Sequence, residues 1–362
     1  SILELLPKTK PTTITLALPL TGPIASAGMA IRDGFMANHY SKQQGVRKND
    51  DNLEVIFFDT NLYDIKTLYQ EEKNDSLIIG PLDKNTLSKI LEMDLVSTRT
   101  LALNYLPDTQ AIPKNLYQFG LAPETETSQL AMHMLEKNLN KVGVIAPETE
   151  WGFRIHDSFN ESLHKLGGIT IENAFYQDQS SLSESVARLL DTHESKSRKQ
   201  KIQRIIGDRL EFLPRRRKDI DAIFMISTPN VAKQLKPLFS YHYASNLPVF
   251  ATSKIHTDNY DKSNNDLENI QFMEMPWMLS QTVDIKNQIG SSIPESKHEN
   301  SRFYALGVDS YDLAPRIQLL QSVRESKIQG QTGTLSIDKS GIVSRNLEQA
   351  KFVRGRATTL QD

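Results

Sequence analysis

The sequence of 362 residues contains no cysteine, so disulfide bonds, thiolate metal sites and cysteine nucleophiles are all excluded. No apolar run approaches the ~18 residues that a membrane-spanning helix requires. The opening residues, SILELLPKTKP, lack the charged start and apolar centre of a signal peptide. A formal net charge of -2 leaves no overall field that favours nucleic acid or an anionic membrane. The sequence therefore predicts an ordinary globular chain of two domains or lobes, at ~150 residues each.

Signatures of catalysis and of metal binding are also missing. The eight histidines include no HExxH or other metal-ligand spacing, and there is no G-x-S-x-G elbow. Two S-x-x-K matches, Ser162–Lys165 and Ser336–Lys339, lack the companion motifs of their chemistry. We therefore predict a protein that is not an enzyme and that holds no metal.

What the sequence does contain is a regular alternation of short β-branched runs with amphipathic stretches of helical length. Continuous apolar strands separated by helices indicate a parallel sheet that is covered on both faces. The predicted strands of the first half are Ile14–Leu18, Leu53–Phe58, Leu77–Gly80 and Thr100–Asn104. The predicted helices between them are Gly28–Tyr40, Asp64–Glu72 and Asn85–Leu95.

The alternation restarts in the second half of the chain. Its predicted strands are Val142–Ala146, Ile169–Phe175, Ala222–Ser227 and Pro248–Thr252, and its helices are Glu124–Asn138, Trp151–Leu166 and Val231–Tyr243. The two halves also echo one another, since each has a strand ending in proline, at Pro19 and at Pro147, followed by a helix. These helices carry the similar sequences IRDGF and IHDSF. We therefore predict an α/β protein of two similar Rossmann-like lobes.

Five loops follow the predicted parallel strands and are candidates for one ligand cleft, because ligands bind beyond the carboxyl ends of such strands. They contain Thr21, Gly22 and Ser26; Pro81; Asn104 and Tyr105; Glu150 and Trp151; and Thr228 and Asn230. The glycines of the first loop lie six residues apart, which does not fit a nucleotide-binding loop. The alternative is that these residues are only good turn formers and helix caps.

Two further features are open to more than one interpretation. Trp277, within MEMPWML, is a candidate for the edge of the cleft, with a place in the core as the alternative. The basic tract Lys196–Lys218 has apolar residues at helical spacing and ends in Arg215, Arg216, Arg217 and Lys218, which are candidates for a partner surface or for a solvated face. The polar tract Gln281–Ser301 predicts a surface loop.

The chain resembles type I periplasmic binding proteins and, more narrowly, the C-terminal domains of outer-membrane lipoproteins that activate a class A penicillin-binding protein. Motifs in one order along nearly the whole chain carry this resemblance: LPLTGPIASAGMAIRDGF, IIGPLDKNTLSKIL, LALNY, RRRKDIDAIFMISTPN, YHYASNLPVFATSKI, MEMPWML, YALGVDSYDLA and GQTGTLSIDKSGIVSRNL. The resemblance implies a type I periplasmic binding protein fold with several crossovers between the lobes. It implies residues 1–120 and 251–323 in lobe one, and residues 121–250 and 324–362 in lobe two.

The resemblance also implies a function and a place in the cell. We expect a non-catalytic regulator that binds and activates a class A penicillin-binding protein and so stimulates peptidoglycan synthesis. The absence of any cofactor is also what the resemblance implies. The full-length protein is expected in the periplasm, held at the outer membrane by an N-terminal lipid anchor that this chain lacks. The alternative is a periplasmic binding protein for a small polar solute, such as an amino acid or a peptidoglycan fragment, in the same cleft.

Overall fold

Strands and helices alternate along the chain in the computed structural model, which describes residues 10–43, 53–70, 76–106, 112–192, 203–205, 215–258, 262–280, 283–294, 300–323 and 325–360. The strands are β1 Thr13–Leu18, β2 Glu54–Asp59, β3 Ser76–Ile79, β4 Arg99–Ala102, β5 Leu116–Gln118, β6 Lys141–Pro147, β7 Ile169–Tyr176, β8 Ala222–Met225, β9 Val249–Ala251, β10 Gln271–Glu274, β11 Ile328–Gln329, β12 Thr334–Ile337, β13 Val343–Asn346, β14 Glu348–Val353 and β15 Arg356–Thr359.

The helices cover the sheets in the same alternating order. They are α1 Ala25–Gln43, α2 Ile65–Gln70, α3 Lys84–Glu92, α4 Pro123–Glu136, α5 Glu150–Lys165, α6 Leu182–Leu189, α7 Pro229–Tyr241, α8 Pro276–Leu279, α9 Asp284–Ser292, α10 Ser301–Leu313 and α11 Ile317–Ser322. None of these helices, within the described part of the chain, is both long and apolar enough to cross a bilayer.

The chain divides into two compact units. Unit 1 consists of residues 1–122 and 275–347, and unit 2 of residues 123–274 and 348–362, so the chain passes between them three times. Unit 1 contains a parallel sheet in the order β2-β1-β3-β4-β5 and a small antiparallel sheet, β11-β12-β13. Unit 2 contains a sheet in the order β15-β14-β10-β9-β8-β6-β7, in which β14 and β15 are antiparallel to their neighbours.

Strand β1 of unit 1 shows why its sequence is mostly apolar, with two threonines as its polar residues. Every residue of β1 is buried. Alternate side chains point to opposite faces of a strand, so Leu16 packs against Phe35 of α1 while Ala17 packs against Ile78 and Tyr69 on the other face. Both faces of this sheet are therefore covered, as the continuous apolar run predicts.

The two prolines that end β1 and β6 have equivalent surroundings. A Cβ atom on Gly28 would lie 2.2 Å from the Pro19 carbonyl oxygen, and one on Gly152 would lie 2.0 Å from the Pro147 carbonyl oxygen. Each helix thus begins pressed against the carbonyl group of the proline before it, and only glycine fits. The equivalent contacts strengthen the sequence echo between the two halves and place the following loops at the same end of each sheet.

The late strands divide between the units differently from the expectation. Residues 251–274, expected in the first lobe, lie in unit 2. The physical reason is strand pairing, because Gln271 of β10 lies beside Phe250 of β9 and opposite Lys351 of β14. The chain enters unit 1 again only at Met275.

Residues 324–347 were also assigned to the other lobe. They were expected in the second lobe with the final strands, but they belong to unit 1. Leu335, Ile337 and Val343 of β12 and β13 are buried in the same core cluster as Leu16 and Phe35. Hydrophobic burial therefore holds this small sheet in unit 1, and only β14 and β15 return to unit 2.

The sequence predicts a surface loop for one polar tract and a basic helix for another. The loop prediction for Gln281–Ser301 is wrong over Asp284–Ser292, which forms α9, because Ile289 is buried against the core beside Trp277. Most of the predicted basic helix in Lys196–Lys218 lies outside the described residues, which omit 193–202 and 206–214. That helix stays a prediction.

A buried carboxylate fixes one loop of unit 1. Asp309 of α10 is 1% exposed. Its Oδ1 accepts a hydrogen bond from the backbone N–H of Gln331 at 2.6 Å, and its Oδ2 accepts bonds from the N–H and hydroxyl groups of Thr332 at 2.7 and 2.6 Å. Burial raises the pKa of Asp309 to about 6, although these hydrogen bonds partly offset the rise.

We expect Asp309→Asn to change how stability depends on pH. The folded-state pKa of Asp309, about 6, lies above its ordinary value of 3.8, so the folded chain binds this proton more tightly. The stabilisation from this group is therefore complete below pH 4 and is lost as pH rises toward 6. The free energy of unfolding of wild type minus that of the variant should fall by about 2 kcal/mol between pH 4 and pH 7.

Urea titrations of both proteins at four pH values across this range measure that difference, and contributions from other groups cancel in it. A difference that stays constant from pH 4 to pH 7 would contradict the assignment.

Candidate functional site

The first candidate loop follows β1 and is organised by a carboxylate at the end of β2. Asp59 is 6% exposed, and its Oδ1 accepts hydrogen bonds from the backbone N–H groups of Leu20 and Asn61 at 3.1 and 2.9 Å. Burial acts to raise the pKa of Asp59, but bonds from Asn61, the Thr21 side chain and Leu20 bring it below its usual value. The Asn61 amide also donates to the Thr21 carbonyl oxygen, so this loop is tied to its neighbour.

The residues of this loop that were predicted from the sequence are on the surface. Thr21, Gly22 and Ser26 are all exposed. Gly22 has a φ of +79°, in the left-handed region that glycine tolerates best. The loop therefore presents backbone and hydroxyl groups to solvent from a fixed turn.

The next two candidate loops of unit 1 are bonded to each other. The Leu103 N–H donates to the Pro81 carbonyl oxygen at 2.9 Å, and the Asn104 side chain donates to the Leu82 carbonyl oxygen at 2.8 Å. Pro81 is buried, and Asn104 is half-buried. The amide of Asn104 thus serves to join the loops that follow β3 and β4.

Tyr105 is also engaged within unit 1. Its hydroxyl group lies 3.0 Å from the Val343 carbonyl oxygen and 3.3 Å from the Gly120 carbonyl oxygen. Burial raises the pKa of Tyr105, although nearby Arg345 partly opposes the rise. The phenol therefore anchors β13 to the parallel sheet and stays protonated at neutral pH.

Trp277 does not lie at the edge of a ligand site. Its side chain is 2% exposed and packs in a core cluster with Ala30 of α1 and with Tyr304 and Val308 of α10. Its indole N–H donates to the Ser301 hydroxyl group at 3.1 Å. The prediction of a cleft position is wrong, and the alternative of a core tryptophan beside a rigid proline is correct.

The matching loop of unit 2 follows β6 and begins α5. Thr149 caps the helix, since its hydroxyl oxygen accepts from the Gly152 N–H at 3.1 Å. Glu150 is exposed and Trp151 half-buried. The ammonium group of Lys254, which follows β9, lies 4.4 Å from the centroid of a Trp151 ring, a cation–π contact. Sequence reasoning missed Lys254, because an isolated surface lysine carries no signal.

Buried hydroxyl groups lie beside the last predicted loop. Thr228 and Asn230 are exposed at the start of α7. Ser227 and Thr252, which follow the neighbouring strands β8 and β9, are 0% and 4% exposed. Neither hydroxyl group has a hydrogen-bond partner among the residues that the structure describes. Sequence reasoning missed both residues, since serine and threonine at strand ends are common turn formers.

Another residue at this end of unit 2 that sequence reasoning missed is Glu126 of α4, which is 9% exposed. Its carboxylate accepts hydrogen bonds from the backbone N–H and the hydroxyl group of Ser253, the latter at 3.0 Å. The loop after β9 is therefore fixed to α4. Among the described residues, no three histidine, aspartate or glutamate side chains are placed to hold a metal ion.

The four basic residues predicted as a partner surface differ in what they contact. Arg215 and Lys218 are exposed. Arg216 donates to the Tyr243 carbonyl oxygen at 3.1 Å and to the Asn246 side chain at 3.2 Å. This arginine therefore holds the turn after α7.

Arg217 lies between two carboxylates. It donates to Asp219 at 2.8 and 3.0 Å and to Glu172 at 2.9 Å. The hydrogen bonds with Asp219 make the largest contribution to raising the pKa of Arg217, and the same contact lowers the pKa of Asp219. Charge density in the sequence did not predict that Arg216 and Arg217 are held by these contacts.

Comparison with known proteins adds the family and confirms the fold. The family model described as "LppC putative lipoprotein" matches residues 1–355. A relative from Photobacterium profundum, named penicillin-binding protein activator LpoA, is 26% identical over 343 residues, which are 94% of this chain and 55% of the relative. The chain thus spans about half the length of the curated relatives that it matches.

Two solved structures share the fold. The LpoA (YraM) C-domain from Haemophilus influenzae, described as a regulator of PBP1A, has a TM-score of 0.73 at 22% identity, with 96% of this chain and all of that chain covered. A "putative branched-chain amino acid ABC transporter" from Chromobacterium violaceum has a TM-score of 0.64 at 20% identity, over 94% of this chain and 100% of that one. The predicted type I periplasmic binding protein fold is confirmed.

Proposed function

Because this chain belongs to the LppC lipoprotein family, we propose that it is a non-catalytic regulator that binds and activates a class A penicillin-binding protein. Activation would stimulate peptidoglycan synthesis. The proposed location is the periplasm, with the full-length protein anchored at the outer membrane. The observation that carries the proposal is the match of the family along almost the whole chain, together with the activator name of its relatives.

The matched part of the relatives supports this assignment. The solved C-domain from Haemophilus influenzae is covered completely by this chain and is itself described as a regulator. That description concerns a protein 22% identical to this chain. The proposal is that the equivalent part of the present protein does the same work by binding one arrangement of the synthase more tightly than another.

The geometry of unit 1 favours a regulator over a solute receptor. The candidate groups that would contact a ligand are bonded to their own unit: the Asn104 amide to Leu82, the Tyr105 hydroxyl to Val343, and the Thr21 carbonyl to Asn61. A ligand would have to break these bonds before forming its own, which weakens binding. The same loops are fixed well enough to offer a constant surface to a protein.

Arg215 and Lys218 are the basic residues that we propose for the partner surface, since both are exposed beside the anchored Arg216 and Arg217. Exposed charges of this kind raise the association rate with an oppositely charged partner. The bonded arginines would hold the backbone that presents them.

The test is a pulldown and a glycan-polymerisation assay with a purified class A penicillin-binding protein, with and without this chain. We expect binding and a faster rate. The double variant Arg215→Glu/Lys218→Glu should weaken binding by about tenfold, and the control Lys66→Glu, at an exposed residue of α2 in unit 1, should not. Absence of both binding and stimulation by the wild-type chain would defeat the proposal.

A second candidate function is the binding of a small polar solute, and one observation favours it. The hydroxyl groups of Ser227 and Thr252, for which the described residues supply no hydrogen-bond partner, lie at the ends of adjacent parallel strands in unit 2, where such ligands bind. Thermal unfolding with amino acids and peptidoglycan fragments separates the two functions, because a ligand at a hundred times its Kd adds about 2.7 kcal/mol. Stabilisation that Ser227→Ala abolishes, without any effect on a synthase, would favour the receptor.

A further inference from the structure

Strand β7 forms one edge of the sheet in unit 2. Among the strands that the structure describes it pairs with β6 alone. The Tyr176 carbonyl oxygen accepts from the Glu148 N–H on the β6 side at 2.8 Å. Backbone groups alternate between the two sides of a parallel strand, so those of Asn173 and Phe175 face the open side. The Phe175 carbonyl oxygen already accepts from the Ser185 hydroxyl group at 3.0 Å. Among the described residues, this leaves the backbone groups of Asn173 and the Phe175 N–H to pair.

A groove runs along this open edge. Two adjoining depressions, of about 550 and 390 Å³, share Glu184 and Arg188 of α6 as lining residues. Asn173 and Phe175 of β7 line the smaller one, and Phe153 of α5 forms its other wall. The edge of β7 that no described strand covers therefore lies in a trough between two helices, with room for one extended chain.

The groove is acidic in the part of the chain that the structure describes. Its ionisable lining residues there are five carboxylates and two guanidinium groups: Glu148, Glu172, Glu184, Asp191 and Asp219, with Arg188 and Arg217. Arg217 is already held by Glu172 and Asp219 in a fixed arrangement, with its side chain 19% exposed. The carboxylates that Arg217 does not hold favour a basic partner.

An aromatic wall complements the carboxylates. Phe153 is 41% exposed, and its ring centroid lies 5.0 Å from that of Phe175. His156 fixes Phe175 from behind, with 5.3 Å between their centroids, and bonds Asn173 through Nε2 at 2.8 Å. Aliphatic stems of lysine and arginine pack well on such rings, while their charged heads reach carboxylates.

From these observations we infer that the groove along β7 binds an extended, basic segment of another polypeptide as an added strand. The segment pairs with the backbone of Asn173 and Phe175, places alternate lysine or arginine side chains near Glu184 and Glu148, and rests its aliphatic surface on Phe153. The inference goes beyond synthase activation, because the groove would bind an extended basic segment regardless of which protein supplies it. It also differs in sign from the proposed basic surface at Arg215 and Lys218.

The test uses fluorescence anisotropy with the whole chain and a labelled eight-residue peptide in which lysine alternates with valine. We expect saturable binding that weakens about tenfold between 0.05 and 0.5 M salt. A peptide with glutamate for lysine should not bind. A lysine–valine peptide N-methylated at alternate residues, which cannot pair as a strand, should bind at least tenfold more weakly.

Two double variants with the same charge change test whether the peptide contacts the groove. Glu184→Lys/Glu148→Lys should weaken binding of the lysine peptide at least tenfold, whereas Glu136→Lys/Glu161→Lys, with the same charge change at exposed residues of α4 and α5 outside the groove, should change it less than threefold. Circular dichroism verifies that each variant is folded, and the N-methylated peptide tests the inference on wild type alone.

Four outcomes would overturn the inference. They are no binding of the lysine peptide at 1 mM, equal binding of the N-methylated peptide, equal losses in both variant pairs, and a self-associated chain whose dissociation the peptide causes. The last would make a second copy the occupant. Because the synthase assay is separate, loss of stimulation with intact peptide binding would reject the proposed function and leave this inference standing.

Discussion

Replacing Trp277 with alanine is expected to lower the free energy of unfolding by about 3–5 kcal/mol. The side chain is 2% exposed and fills the space between α1 and α10, where Ala30 and Tyr304 contact it. Truncation leaves a large cavity and also removes the indole donor from the Ser301 hydroxyl group. The Trp277 backbone N–H also donates to Gln331, so repacking here disturbs the loop that Asp309 holds.

Urea unfolding followed by circular dichroism measures this loss, with the transition of unit 1 as the readout. The chain offers a matched control, since it contains only two tryptophans. Trp151→Ala removes a half-buried ring from the start of α5 and its contact with Lys254, and it should cost less than about 1 kcal/mol. Equal losses in the two variants would contradict the interior placement of Trp277.

Trp277 also shows where sequence reasoning reached its limit. A tryptophan after a proline in a short apolar run has the same local pattern at a cleft edge and in a core. What decides between them is contact with residues distant in sequence, such as Ala30 and Tyr304. The strands, in contrast, carry their signal locally: Ile14–Leu18 was predicted and Thr13–Leu18 observed, because a strand buried on both faces is mostly apolar.

Charged residues were harder to place than apolar ones. Asp309 lies within a helix whose sequence is compatible with a solvated carboxylate, and its donors come from Gln331 and Thr332, more than twenty residues later. Arg217 lies in a run of four basic residues, yet it is bracketed by Glu172 and Asp219. Composition predicts how many charges a segment carries, whereas burial and partners depend on the tertiary structure.

The assignment of the late strands failed for a related reason. Which sheet a strand joins depends on its pairing partner, and the partner of Gln271 in β14 is Lys351, eighty residues away. The alternation of strands and helices predicted the fold class, and the resemblance predicted the family fold. Neither determined that β12 would contribute Leu335 to the core of unit 1.

Gly307→Ala is expected to lower the free energy of unfolding by about 3 kcal/mol, because α1 and α10 cross with their backbones in contact. A Cβ atom on Gly307 would lie 2.0 Å from the Ile31 carbonyl oxygen and 2.8 Å from the Phe35 nitrogen. From the other side, a Cβ on Gly34 would lie 2.2 Å from the Tyr304 carbonyl oxygen. These obstacles are backbone atoms, so relief requires the helices to separate and loosens the packing around them.

The sign of this result is informative, since alanine in place of glycine favours an isolated helix by about 1 kcal/mol. A net loss therefore reports the crossing and not the helix itself. The control Ser291→Ala, at an exposed residue of α9, should change the stability by less than about 0.5 kcal/mol in the same urea titration. If Gly307→Ala instead matches or exceeds wild-type stability, the two backbones are not in contact and the close packing of α1 on α10 is wrong.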